Sequence, residues 1–148
     1  AVLLALGGTL VARGPGGERT IAASDFFEGF LESALAPDEL LTEIRVPACP
    51  DAGWSFQKFN RRAQDWAIVG VAAVVGAAVT GVGLVNMGST PLYAAGVVDA
   101  LGQGADAAAA AERATEGTEP QADNNASVEY REHLARVLTR RALEAAGR

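Results

Sequence analysis

A single cysteine, Cys49, excludes an intrachain disulfide, and a single histidine, His133, with no cysteine cluster excludes a zinc-ligand set. That cysteine usage points to a reducing, cytoplasmic compartment. Positive charge is scarce as well: 12 basic residues against 18 acidic ones give a net charge of −6, so the chain lacks the basic excess that displaces phosphate counterions from nucleic acid. Lys58 is its only lysine. No P-loop, EF-hand loop, nucleophile elbow or Rossmann glycine pattern is found. The opening residues, Ala1-Val2-Leu3-Leu4-Ala5-Leu6, have no methionine and no basic stretch, so they do not read as a signal peptide and resemble the interior of something longer. What is present is ordinary for a globular chain: 148 residues, 49% hydrophobic and 20% charged, enough for one domain or two very small ones.

Charge is absent altogether from Trp66 to Val98. Residues 66–85 are long enough to span a bilayer as a helix, with Arg61 and Arg62 as the flank. Gly70, Gly76, Gly81 and Gly83 among many valines suit instead two buried strands joined by a turn over residues 76–81.

Elsewhere the pattern alternates between short strands and helices. Residues 1–6 read as helix ended by Gly7-Gly8, and Gly14-Pro15-Gly16-Gly17 joins strands over 9–13 and 19–22. Ser24 or Asp25 is the expected cap of a short helix carrying Phe26, Phe27 and Phe30. From Leu40 to Val46 the side chains alternate, which places Leu41 on a face shared with Glu43 and Arg45. Cover by a neighbouring side chain and contact with a ligand both account for Leu41 there. Pro47, Cys49-Pro50 and Gly53 mark a boundary, followed by strands over 54–62, 67–75 and 82–87. Helices are then expected over 94–101, 105–115 and from Ser127 onward, the last with Tyr130, Leu134, Val137, Leu138, Ala142 and Ala145 as its apolar stripe.

One cluster carries chemistry: Lys58-Phe59-Asn60-Arg61-Arg62-Ala63-Gln64-Asp65-Trp66-Ala67. It reads as a solvated basic strand end, as a surface turn with an aspartate partner, or as a cofactor edge where a cation stabilises an anionic ring and an aromatic covers its face. Spacing alone leaves all three open.

The segment Lys58-x-x-Arg61-Arg62-x-x-Asp65-Trp66-Ala67, preceded by Glu39-Leu40-Leu41-Thr42-Glu43-Ile44-Arg45-Val46-Pro47, resembles the FAD-binding (medium) subunit of the molybdenum hydroxylases, the carbon monoxide dehydrogenase and xanthine dehydrogenase type. Residues 126–143 are similar to that family's closing helix. The resemblance implies an α+β fold: the end of an FAD-binding subdomain over residues 1–50, then over 51–148 a C-terminal domain with a three-stranded antiparallel sheet packed on about three helices. It also turns the charge-free run into two strands of that sheet. By the same resemblance Leu41 and Lys58 contact FAD, Asp65 and Trp66 form the Asp-aromatic step beside the isoalloxazine, and Arg61 and Arg62 serve the cofactor or pair with Asp65.

The implied role is an oxidoreductase subunit that passes electrons from a molybdenum-binding large subunit and a 2Fe-2S small subunit, through FAD, to an external acceptor. This sequence departs from the family in places. The hairpin over 76–81 is short, Asn86 stands where Gly is usual, Asn125 where His is frequent, and Trp66 where Tyr is common. The family's two glycine-rich FAD segments would lie upstream of residue 1. A ligand-free subunit-interaction module and a single-span membrane protein are the alternative readings.

Overall fold

Glycine and proline punctuation sets the first element boundaries. In the computed structural model, which describes residues 1–147, a short helix α1 (Val2–Ala5) leads through Gly7 at φ +61° into β1 (Thr9–Gly14). Pro15 and Gly16 then turn the chain back into β2 (Gly17–Ala22), with Gly14 opposite Gly17. After α2 (Ala23–Phe26) and the small hairpin β3 (Phe27–Gly29) and β4 (Glu32–Ser33), β5 (Leu40–Arg45) pairs with the other edge of β1. The result is a three-stranded antiparallel sheet in the order β2-β1-β5.

Two local expectations change here. Helix α2 ends at Phe26 and has no side-chain cap; Ser24 Oγ bonds the Asp25 carboxylate instead, and Phe27 opens β3. Phe26 ends the helix and Phe27 opens the strand, and the two rings meet edge to face at 5.2 Å. In β5 the simple alternation is broken at Thr42. Ala12 pairs with Leu41 and Val11 with Glu43, so Thr42 is the extra residue of a bulge and bonds Val11 O through its hydroxyl. Register therefore places Leu41 on the face of Ile44 and Leu10, separate from Glu43.

The second sheet is antiparallel with the order β6 (Gly53–Phe59), β7 (Val69–Val75), β8 (Thr80–Val85), β9 (Leu92–Tyr93). It has four strands where three are expected, because Leu92 and Tyr93 pair with Leu84 and Gly83 over a stretch too short to show a period. The charge-free run is β7, a turn and β8; no helix among the described residues is long and apolar enough to cross a membrane. Burial on two faces explains its composition. Val69, Val71 and Ala73 pack with Val82 and Leu84 against the helices, while Ala72 and Val74 on the reverse face pack against Ala5. On that reverse face Gly81 and Gly83 let the α1 backbone touch the sheet: a Cβ would lie 2.0 Å from Ala5 O and 2.2 Å from Ala1 O respectively.

Three helical segments cover the other face. They are α3 (Ala95–Gly102), α4 (Ala107–Ala111) continued by a 3-10 turn to Thr115, and α5 (Val128–Ala145). Asp106 caps α4 by accepting from Ala109 N, and Ser127 caps α5 by accepting from Tyr130 N, as expected for Ser127. The buried arc of α5 is rotated from the expected stripe: it holds Arg131, Leu134, Ala135, Leu138, Thr139, Ala142 and Leu143, leaving Tyr130 and Ala145 exposed. This helix packs on the sheet and on α4 together, so its buried arc widens to take in small and polar residues that composition assigns outward.

Candidate functional site

The chain between β6 and β7 forms an ordered loop rather than a loose connection. Ile68 N donates to Phe59 O at 2.8 Å and closes it at the sheet end. Inside, Asp65 N donates to Arg62 O at 3.0 Å, while the Asp65 carboxylate accepts from Arg62 N at 3.2 Å and lies 3.7 Å from Arg62 Nε. The Asn60 amide also donates to Arg62 O. Reciprocal bonding between Arg62 and Asp65 is the aspartate-partnered turn among the sequence readings. Its next residue is different in character: the Trp66 indole is 84% exposed. A large apolar ring held in water by bonded backbone is the informative kind of exposure, because nothing in this chain benefits from it.

Behind the loop lies a polar cleft of about 420 Å³ lined by Arg61, Arg62, Asp65, Trp66, Asn86 and Arg131, among others. Arg61 reaches across it, donating from Nη1 to Asn125 Oδ1 at 3.0 Å. Arg131 is only 2% exposed; its guanidinium donates to Ile68 O and to the Asp123 carboxylate at 2.8 Å. Asp123 is itself held by Asn125 N at 2.8 Å and Ala126 N at 3.0 Å. Those backbone donors, Asn125 first, together with Arg131, bring its carboxyl down to about 2. Asn86, at φ +61° just past β8, donates its side-chain amide to Ala67 O at 3.0 Å and Ile68 O at 3.3 Å.

The four residues singled out in the sequence do not converge on one cavity. Asp65 and Trp66 line the cleft, whereas Leu41 and Lys58 do not. Lys58 is exposed on β6, the edge of the second sheet, opposite Gly70 of β7. Strand alternation puts it with Trp54 and Phe56 on the face turned away from α5. Leu41 lies 39% exposed on β5, the edge of the first sheet. Asp123 and Arg131 were not foreseen. Arg131 carried a usable signal, since it stands three and four residues before Leu134 and Ala135 on the buried arc, where an arginine needs partners.

Antiparallel sheets joined by short helices make this an α+β protein, with an exposed aromatic beside an acidic turn and basic side chains at a polar cleft. The solved carbon monoxide dehydrogenase from Hydrogenophaga pseudoflava superposes with a TM-score of 0.89 at 34% identity, over 99% of this chain and 54% of that one. The family described as CO dehydrogenase flavoprotein C-terminal domain matches residues 54–146, and the FAD binding domain in molybdopterin dehydrogenase matches residues 1–49. The chain belongs to the CO dehydrogenase flavoprotein C-terminal domain family. It is 39% identical to the carbon monoxide dehydrogenase medium chain of Afipia carboxidovorans and 32% identical to the nicotine 6-hydroxylase medium subunit of Paenarthrobacter nicotinovorans, in each case over 99% of this chain and 54% of the relative. It thus spans about half the length of these curated relatives.

Proposed function

We propose that this chain supplies the flavin-side portion of an FAD-binding subunit, in a cytoplasmic complex of the molybdenum hydroxylase type. In that complex electrons pass from a molybdenum-binding large subunit and a 2Fe-2S small subunit, through FAD, to an external acceptor. Residues 1–50 would close the FAD-binding subdomain and residues 51–148 would form the C-terminal domain. One observation carries the reading: Trp66 stands 84% exposed on a bonded turn whose neighbour is a half-buried Asp65, next to Arg61 and Arg62. An apolar ring face next to fixed polar groups suits a flat, partly polar heterocycle such as isoalloxazine.

FAD supplies the two-electron redox chemistry, and the protein supplies orientation and charge. In this reading Trp66 shields one face of the ring, Asp65 sets the turn that presents it, and Leu41 adds an apolar contact from β5. Lys58 offsets the negative charge that reduction places near it and so raises the potential. Its position opposite Gly70 leaves the lysine stem free of a cross-strand side chain.

Lys58→Met in the full-length, FAD-loaded subunit removes the charge and keeps the apolar stem. The flavin midpoint should fall; a loss of about 1.4 kcal/mol in differential stabilisation corresponds to roughly 30 mV for a two-electron couple. Spectroelectrochemical titration reads it. Identical midpoints at full FAD occupancy would remove Lys58 from the site.

A further inference from the structure

The Ile68 carbonyl ends the Trp66 loop and is the point where two other elements meet it. Arg131, from α5, donates to Ile68 O, and Asn86, from the end of β8, donates to both Ile68 O and Ala67 O. A carbonyl has two lone pairs, so these two donors complete its acceptor capacity. Arg131 does this as a charge that is 2% exposed, with Asp123 as its carboxylate partner. Its Nε is buried without a partner, so the guanidinium is held in this place at the expense of one unmade hydrogen bond. Asn86 does it from a left-handed backbone conformation, φ +61°, which is uncommon for a residue other than glycine. Both features are locally costly, and both end on the Ile68 carbonyl, with Asn86 reaching Ala67 O as well.

From this convergence we propose that Asn86 and the Arg131–Asp123 pair are positioning residues for the Asp65–Trp66 step, fixing the loop from behind so that the indole is presented in one orientation. The proposal rests on the flavin-side reading for what the loop is presented to, but the clamp itself is a property of this chain. Without it the loop loses its anchors to β8 and α5, so its internal Arg62–Asp65 bonds and its closure at Phe59 open more often.

Asn86→Gly is the cleanest variant, because glycine accepts the positive φ and only the two amide bonds are lost. Arg131→Lys keeps the buried charge but replaces the planar fork with a single ammonium. Hydrogen exchange in the full-length subunit, with and without FAD, reads the amides of Asp65 and Ile68, which are bonded within the loop. In Asn86→Gly these amides should exchange several-fold faster while those of β7 and the middle of α5 keep wild-type rates, and FAD affinity should fall several-fold. Arg131→Lys should give the same local pattern. Unchanged loop exchange in both variants overturns the clamp, as does acceleration spread evenly over loop, sheet and helix, which would mark a purely global loss of stability. Loop loosening with unaltered FAD affinity and midpoint overturns the positioning role toward the cofactor. The Lys58 titration stays independent, so failure of the clamp and failure of the flavin-side reading are separately visible.

Discussion

Asp123 is a solvent-facing carboxylate that does structural work, because two backbone N–H groups and the Arg131 guanidinium converge on it. Its folded value of about 2 lies below the ordinary 3.8, so its contribution to stability is complete above the ordinary value and is lost as pH falls through the folded one. Glu39 behaves in the same direction, lowered from 4.5 to about 2 by the paired bonds of Arg19 and by Ala36 N. Acid titration of the melting temperature should therefore show a loss beginning near the ordinary carboxylate values and running down toward pH 2. Asp123→Asn and Glu39→Gln should each flatten part of that slope and converge on wild type at its acid end; slopes identical to wild type would remove both groups from the linkage. The residues of the candidate site were only partly legible in the sequence. Lys58, Asp65 and Trp66 stand out by type and spacing, whereas Arg131 and Asp123 become partners only when α5 and the preceding loop are folded against the end of β7.

At the scale of elements, α1 lies directly against β8 at Gly81. Gly81 has no positive φ to explain it; its requirement is steric, with Ala5 O 2.0 Å from the site of a Cβ. Gly81→Ala must push α1 off the sheet or bend β8, and overpacking of that kind costs about 1–3 kcal/mol. Gly102→Ala is the matched control, since nothing lies within 4 Å of its Cβ position, and it should be neutral or stabilising by up to about 1 kcal/mol. Denaturant unfolding of the two variants tests the contrast, and equal midpoints would show that α1 docks without regard to Gly81. The sequence placed Gly83 in a strand and Gly81 at the end of the preceding turn, but could not say which backbone would use the space. For the same reason the bulge at Thr42 was invisible: a bulge is a property of pairing with β1, not of the β5 pattern alone.

For the whole molecule, coverage is the governing fact: the chain spans 54% of the length of its medium-chain relatives. Dinucleotides are fixed chiefly by backbone N–H groups that cradle the phosphates, while the roles proposed above for Trp66, Asp65, Lys58 and Leu41 are all on the ring side. These 148 residues alone should therefore bind FAD weakly and gain little thermal stability from it, against about 2.7 kcal/mol for a site held at 100 times its dissociation constant. Calorimetry settles the matter, with sub-micromolar binding as the contrary result.

What the sequence determined by itself was the α+β class, the positions of most strands, the Ser127 cap and the cluster at 58–67. These rest on local signals: turn residues, alternation and capping chemistry act over a few positions and leave a trace in the chain. The tertiary structure alone decided that Leu41 lies across a bulge from Glu43, that α5 buries an arginine, and that Asn86 and Arg131 end on one carbonyl. Each depends on which element lies against which. Pairing register, helix rotation and the satisfaction of a buried donor are set by partners between about twenty and more than sixty residues away.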